Sequence, residues 1–347
     1  MKDATRQRFT QMQDDLAKLN GASNPAKKYN VQPSVQQTLE EKIQQKADFL
    51  KQINMQPVDE MEGETLGLYS NTPVASRTKT AGGGRRQPKD HTALGSHKYR
   101  CVQTNFDTAI NYNRLDAWAK FKDFKVRVRN VTIEQQARDR IMIGFNGRMA
   151  AEETDIAKFP LLQDVNIGWL EKYRKEAPER VMDEVKDGSK KVKIGPKVNE
   201  EDGYRNLDAL VTDAVDSLIE PQFAEDTNIV VIVGRKLLSD KYFPEINKEN
   251  LPSEQLALQT VISQKRIGNH PAVRVPFFPD NALLITPLQN LSIYYQEGAR
   301  RLSVKDEEEY DRVAFYESSN DAYVVENYEA GCLVENIELV PDTGTGA

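Results

Sequence analysis

The residues from Asn113 to Gly147 carry the most constraining pattern in the chain. Leu115, Trp118, Phe121, Phe124, Val128 and Val131 fall on one helical stripe, and Ile133, Ala137, Ile141 and Phe145 continue it at steps of four. Asn113 stands where a cap is expected, and Asp116 lies in the first turn, where the helix dipole favours an acid. Asn146-Gly147 is a stop signal. The pattern predicts one helix of about thirty residues, about 45 Å long at about 1.5 Å per residue. That is longer than the usual globular helix and marks a spine for other elements to pack around.

Two shorter stripes precede it. Phe9, Met12, Leu16 and Leu19 form one, and Val35, Leu39, Ile43, Ala47, Leu50 and Ile53 form another, with Ser34 as its cap after Pro33. Neither is apolar all round, so each must lie on something else: peripheral helices in a lone globule, an arm in an assembly. Between them, Gly21 to Asn30 is small, polar and basic and reads as an exposed linker open to proteolysis. Glu64 to Tyr69 alternates with period two, Thr80 to Pro88 is loop-like, and Tyr99, Cys101, Val102, Phe106, Ile110 and Tyr112 return as strand. Two strands joined by a long basic tip follow from this, a protruding hairpin whose loop length points to function.

Beyond the spine, Leu161–Lys175 and Tyr204–Glu220 read as helices, and Asp187-Gly188 as a hairpin turn within Val181–Val198. Ile229–Val233 reads as a buried strand, and Gly234–Tyr242 as a helix stopped by Pro244. A helix is expected at Ser253–Ser263 and short strands at Ala272–Val275, Ala282–Thr286 and Leu291–Tyr295. Two more strands are expected around Glu329-Ala330-Gly331. The order supports an α+β fold, with an arm and hairpin first and a compact α/β portion near Tyr204–Tyr295.

Charge is unevenly distributed. The whole chain of 347 residues carries −6. Yet Ser76–Arg100 holds Arg77, Lys79, Arg85, Arg86, Lys89, Lys98 and Arg100 against Asp90 alone. Lys305–Glu338 holds eleven acids against Lys305 and Arg312. Either these are two solvated surfaces, or the basic segment of one copy lies on an acidic patch of another, where complementary potentials set register. The overall negative charge disfavours a generic basic nucleic-acid binder. No apolar run reaches the roughly 20 residues of a membrane span. The first twenty residues lack the apolar core of a secretory signal. Two cysteines, Cys101 and Cys332, exclude a disulfide framework and a cysteine-rich zinc site, and a reducing compartment is expected.

Signals for chemistry are sparse. His91 and His97 sit six apart without a cysteine ligand nearby and read as loop histidines; His270 precedes Pro271 and reads as structural. Two segments could suit a phosphate. Gly82-Gly83-Gly84-Arg85-Arg86 lacks a βαβ context, and Val233-Gly234-Arg235-Lys236 follows a strand and opens a helix but offers one glycine. No catalytic residue, cofactor or metal ligand is assigned. A phosphate-handling α/β enzyme using Gly234 and Arg235, or a DNA-binding protein using the basic hairpin 76–100, stand as alternatives to a structural role.

Longer motifs narrow the choice. Leu115-Asp-Ala-Trp-Ala-Lys-Phe-Lys-Asp-Phe124, Gly144-Phe-Asn-Gly147, the run Leu162–Arg174 and Val230–Leu238 together resemble the major capsid proteins of Peduovirus-type temperate tailed phages. So do Ile262–Asn269, Asn290–Tyr295, Tyr316–Ser319 and Ala330–Glu335, and the resemblance runs from about Lys27 to Val340. It implies the tailed-phage major-capsid (Hong Kong 97-like) fold: an N-terminal arm, an extended hairpin loop, a peripheral domain with a long spine helix, and an axial domain. The matching divisions are 1–29, an N-terminal segment removed in maturation; 30–56, the arm; 57–112, the extended loop and peripheral strands; 113–203, the spine and an insert; 204–300, the axial domain; and 301–347, the return to the peripheral domain and the tail.

By the same resemblance, copies form hexamers and pentamers of an icosahedral virion capsid enclosing double-stranded DNA, assembled in the bacterial host cytoplasm. The implied partners are an internal scaffold-protease, the portal and capsid-completion proteins, and packaged DNA. The protease would cut near Lys28, Tyr29 and Asn30, within the linker already read as exposed. The basic hairpin would lie over a neighbouring subunit, making Arg77, Lys79, Arg85, Arg86 and Lys89 inter-subunit contacts. Arm and hairpin are expected to bend, and the spine to stay rigid.

Overall fold

The computed structural model describes residues 1–65, 69–70, 75, 77–78, 85–86, 92–93, 97–246 and 265–341. The helix expected at Ser253–Ser263 lies outside them.

Helix α1 (Asp3–Asn20) buries Phe9 and Met12, half-buries Leu16 and leaves Leu19 exposed. Gly21 closes it at φ 63°, the left-handed conformation glycine adopts without strain, and the Ala22 N–H donates to the Ala17 carbonyl at 2.9 Å. Strand β1 (Tyr29–Asn30) and helix α2 (Pro33–Gln45) follow. Pro33 takes the first helical position; Gln32 precedes it, so Ser34 is inside the helix and does not cap it. Then come β2 (Asn54–Val58), β3 (Glu62–Glu64), β4 (Tyr69–Ser70), β5 (Thr92–Ala93) and β6 (Lys98–Arg100). β3 pairs antiparallel with β6, and β4 with β5, which gives the expected hairpin its rungs. β7 (Val102–Asn105) and β8 (Thr108–Asn111) lead into the spine.

The spine is two helices, not one. α3 (Tyr112–Trp118) ends before an elbow at residues 119–123, and α4 (Phe124–Asn146) then runs 23 residues. The stripe is continuous in sequence but not in space. Leu115, Phe124 and Val128 enter one core with Phe9 and Met12, whereas Phe121 and Val131 are 45% and 50% exposed. Arg8 of α1 donates to the Phe121 carbonyl at 2.8 Å, and the Arg127 guanidinium lies 4.1 Å over the Phe121 ring. Asn113 does not cap: α3 begins after Asn111, and Asp116 instead accepts the Lys2 N–H at 3.0 Å.

The second half comprises α5 (Trp169–Glu176), β9 (Val181–Met182), β10 (Val192–Ile194), β11 (Gly203–Tyr204), α6 (Leu207–Leu218), α7 (Pro221–Ala224), β12 (Ile229–Val233) and α8 (Arg235–Ile246). Next come β13 (Arg266–Ile267), β14 (His270–Val273), β15 (Leu283–Pro287), β16 (Leu291–Gln296), β17 (Arg301–Glu307), β18 (Arg312–Val325), β19 (Cys332–Val334) and β20 (Ile337–Leu339). Three expectations shift. The helix at Leu161–Lys175 begins only at Trp169, and α8 runs through Pro244 to Ile246. Asp187-Gly188 turns the chain but closes no hairpin, because β9 pairs with β19 while β10 pairs with β11 and β20.

Two sheets organise the molecule. In one, β18 is the axis: β17, β16, β7 and β8 pair with it antiparallel, β1 extends β17 and β2 lies parallel to β16. The other has the order β13-β14-β12-β15-β19-β9. Its β12 is nearly all buried, hence the unbroken apolar run Ile229–Val233. Leu210, Val211 and Ala214 of α6 cover this sheet through a core shared with Val231, Ile285 and Cys332. A second core, around Trp169, Phe145, Phe49 and Tyr323, joins α2, α4, α5 and both sheets.

Candidate functional site

The segment proposed for cleavage is partly paired. Lys28 is exposed, but Tyr29 and Asn30 form β1 on the edge of β17, opposite Leu302 and Arg301. Val31 is buried and its N–H donates to the Arg300 carbonyl at 2.8 Å. The Val304 N–H donates to the Pro25 carbonyl at 3.0 Å. The exposed linker read in Gly21–Asn30 therefore ends at Lys28, because the free edge of β17 takes up the next residues.

Of the proposed contact residues, Arg77, Arg85 and Arg86 are exposed; Lys79 and Lys89 lie outside the described residues, as does His91. At the hairpin base, Arg100 pairs with Glu62 at 3.0 Å and the Thr65 N–H donates to the His97 carbonyl at 2.8 Å. A cleft of about 680 Å³ opens between this base and Asn166, Lys172 and Tyr323. Two of its cations are paired, Lys172 with Glu176 and Arg100 with Glu62.

The acidic segment is dispersed rather than one patch. Glu317 and Asp321 are buried, Glu335 binds Arg174 at 2.6 Å, and Glu326 accepts the Tyr294 hydroxyl at 2.9 Å. What stays exposed together is Glu308, Glu309 and Asp311, at the turn between β17 and β18.

Sequence reading missed the most concentrated chemistry of the chain. Arg140 of α4 and Arg300, just before β17, are fully buried with Glu40 of α2 and Glu317 and Asp321 of β18. Glu40 lies between both guanidiniums. Arg140 binds Asp321 at 3.0 Å; Arg300 binds Glu317 at 2.8 Å and the Gln136 amide oxygen at 2.7 Å; the Gln136 amide donates to Glu317 at 2.8 Å. Burial alone would raise the Glu40 and Glu317 pKa values, but the guanidiniums outweigh it and hold both carboxyls below the ordinary value. The detectable signal was a charge inside an apolar stripe: Glu40 between Leu39 and Ile43, Arg140 between Ala137 and Ile141. The cluster fastens α2 to α4 and to β18.

The phosphate-like turn at Gly234 has a structural explanation. A Cβ there would lie 2.4 Å from the Asp280 carbonyl oxygen and 2.5 Å from that of Pro279. The Gly234 N–H donates to the Ala282 carbonyl at 3.3 Å, and Lys236 pairs with Asp280 at 3.2 Å. The glycine admits the chain's own carbonyls, which would repel a phosphate. Gly82–Gly84 lie outside the described residues. Cys101 and Cys332 are buried free thiols, each pushed up to about 12 chiefly by burial. Burial also lowers the pKa of His270, with Arg266 adding to the effect.

Comparisons with known proteins agree with this geometry. The profile of the phage major capsid protein, P2 family, matches residues 8–337. The chain is 52% identical over 346 residues to the capsid protein of Escherichia phage P2, covering 98% of this chain and 96% of that one. It is 40% identical over 350 residues to the major capsid protein of Serratia phage KSP20, covering 99% and 100%. Among solved structures, a chain of the satellite phage P4 procapsid including size determination (Sid) protein superposes with a TM-score of 0.80 at 49% identity, covering 98% of this chain and 99% of that one. The fold is thus the α+β tailed-phage major-capsid (Hong Kong 97-like) fold, and the class is that of structural, non-enzymatic shell proteins of the virion. Within that class the chain belongs to the P2 family of phage major capsid proteins, and it self-associates into the capsid.

Proposed function

We propose that copies of this chain assemble as hexamers and pentamers into an icosahedral shell around double-stranded DNA, in the cytoplasm of a bacterial host. The observation that carries this is the near-complete superposition on a procapsid subunit, at 49% identity over 98% of the chain. Residues 30–56 serve as the arm, 57–112 as extended loop and peripheral strands, 113–203 as spine and insert, 204–300 as the axial domain, and 301–347 as the return to the peripheral domain. Residues 1–29 are removed near Lys28, Tyr29 and Asn30 by an internal scaffold-protease, with exposed Lys28 the accessible side of the cut. Portal and capsid-completion proteins close the shell. The basic loop, with Arg77, Lys79, Arg85, Arg86 and Lys89, lies on a neighbouring subunit. Many weak repeated contacts then hold the shell by avidity.

Negative-stain microscopy tests this on the chain expressed alone and with its cognate scaffold-protease. Closed icosahedral particles are expected, with a shortened N-terminus only in the second sample. Uniform monomers or dimers in both would overturn it.

A further inference from the structure

We propose that one end of the molecule, formed by the β17–β18 turn and the α3–α4 elbow, is a contact surface between two copies of this chain: the acidic turn of one docks on the basic elbow of the next. The proposal rests on the assembly reading and names a surface for it.

At the turn, Glu308, Glu309 and Asp311 are exposed and Tyr310 is 65% exposed. Among the described residues Glu309 has no ion-pair partner, and Glu308 has only Arg6, at 3.5 Å. At the elbow, Lys120 and Lys122 are exposed and have no ion-pair partner among the described residues. The neighbouring acids are already engaged: Asp116 accepts the Lys2 N–H at 3.0 Å, and both Asp123 carboxylate oxygens accept from Arg127 at 2.9 Å.

The two patches are held in fixed relation. The Tyr112 N–H donates to the Asp311 carbonyl at 2.9 Å, so α3 starts at the acidic turn and ends at the basic elbow. Seven residues of helix separate them by about 10 Å, too far for an ion pair within the chain and close enough for one footprint. Each patch also carries an exposed ring under a cation. Arg312 lies 4.8 Å over Tyr310, and Arg127 lies 4.1 Å over Phe121. An aromatic centre with a charged rim is the make-up of a protein contact.

A second copy suits this end better than nucleic acid does. A polyanion covering this end would bring its charge against Glu308 and Glu309 as well as against the elbow lysines. A rotated copy presents acid to base and base to acid at once.

The test uses the full chain, with association followed by sedimentation and folding by far-UV circular dichroism. Lys120→Glu with Lys122→Glu, or Glu308→Lys with Glu309→Lys, is expected to raise the concentration needed for association by about fivefold, on the order of one lost exposed pair per contact. All four changes in one chain are expected to restore association. Unchanged association in either double variant, or no recovery in the quadruple one, overturns the interface. A wild-type chain that associates while both double variants match it overturns only this surface; a wild-type chain monomeric at every concentration overturns the assembly reading itself. Lost DNA retention with normal association in the Lys120/Lys122 variant would reassign the elbow to nucleic acid and likewise overturn the proposal.

Discussion

Gly144 and Trp169 meet so closely that a single methyl group would separate them. A Cβ on Gly144 would lie 2.2 Å from Cζ3 of Trp169, and the ring cannot withdraw. It is fully buried, and its indole N–H donates to the Ser292 carbonyl at 3.0 Å. Alanine normally favours a helix over glycine by about 1 kcal/mol. Here overpacking outweighs that gain, and Gly144→Ala should cost about 1–3 kcal/mol in denaturant unfolding. Glu40 is the opposite case, a residue whose charge rather than size matters. Glu40→Gln leaves Arg140 and Arg300 without their shared carboxylate and should cost about 3–5 kcal/mol at neutral pH. The pH dependence has a definite sign. The folded carboxyls of Glu40 and Glu317 lie below the ordinary 4.5, so the unfolded chain binds protons first as pH falls. Their stabilisation is complete above about pH 4.5 and is lost as pH drops through the folded values. The Gln variant should therefore be less stable at pH 7 but lose less between pH 5 and pH 3.

Helix α1 behaves as a clipped-on element. Phe9 and Met12 fill a core with Ile110, Leu302, Val304 and Phe315, while the linker to Lys28 is exposed. Burying two such side chains contributes about 3–6 kcal/mol. A chain lacking residues 1–28 should be less stable by that order and should bind an apolar dye at the uncovered face, whereas the intact chain should not. The elements also show what the sequence could disclose. The stripes of α2, α4 and α6 were legible because one buried face imposes a 3.6-residue period, and β12 because burial on both faces removes any alternation. The elbow at 119–123 was not: it contains no glycine or proline, and Phe121 keeps the period while pointing away from the core. The charged cluster was hidden by distance along the chain, Glu40 lying 100 residues from Arg140 and 260 from Arg300. Family motifs gave the function, and the structure supplies a reason for one of them. In Gly144-Phe-Asn-Gly147, Gly144 makes room for the Trp169 ring of α5 and Gly147 for the Asn166 carbonyl just before it, with the Gly168 N–H donating to the Gly147 carbonyl at 3.0 Å.

Across the whole molecule, one charged cluster joins elements that lie far apart in the chain. Glu40 ties α2 to α4 through Arg140 and to the start of β17 through Arg300. In the proposed assembly the basic loop, with Arg85 and Arg86 exposed, is the part that contacts a neighbour. Exposed ion pairs contribute only about 0–1 kcal/mol each, and salt screens them. A shell repeats every contact many times, so a small loss per subunit becomes a large loss per particle. Replacing Arg85 and Arg86 by Glu should therefore leave the isolated chain folded, with an unchanged unfolding midpoint, yet lower particle yield and the temperature at which particles come apart. Raised salt should weaken wild-type particles in the same direction and bring the two closer together. Particles of normal yield and heat stability from the double variant would count against this contact.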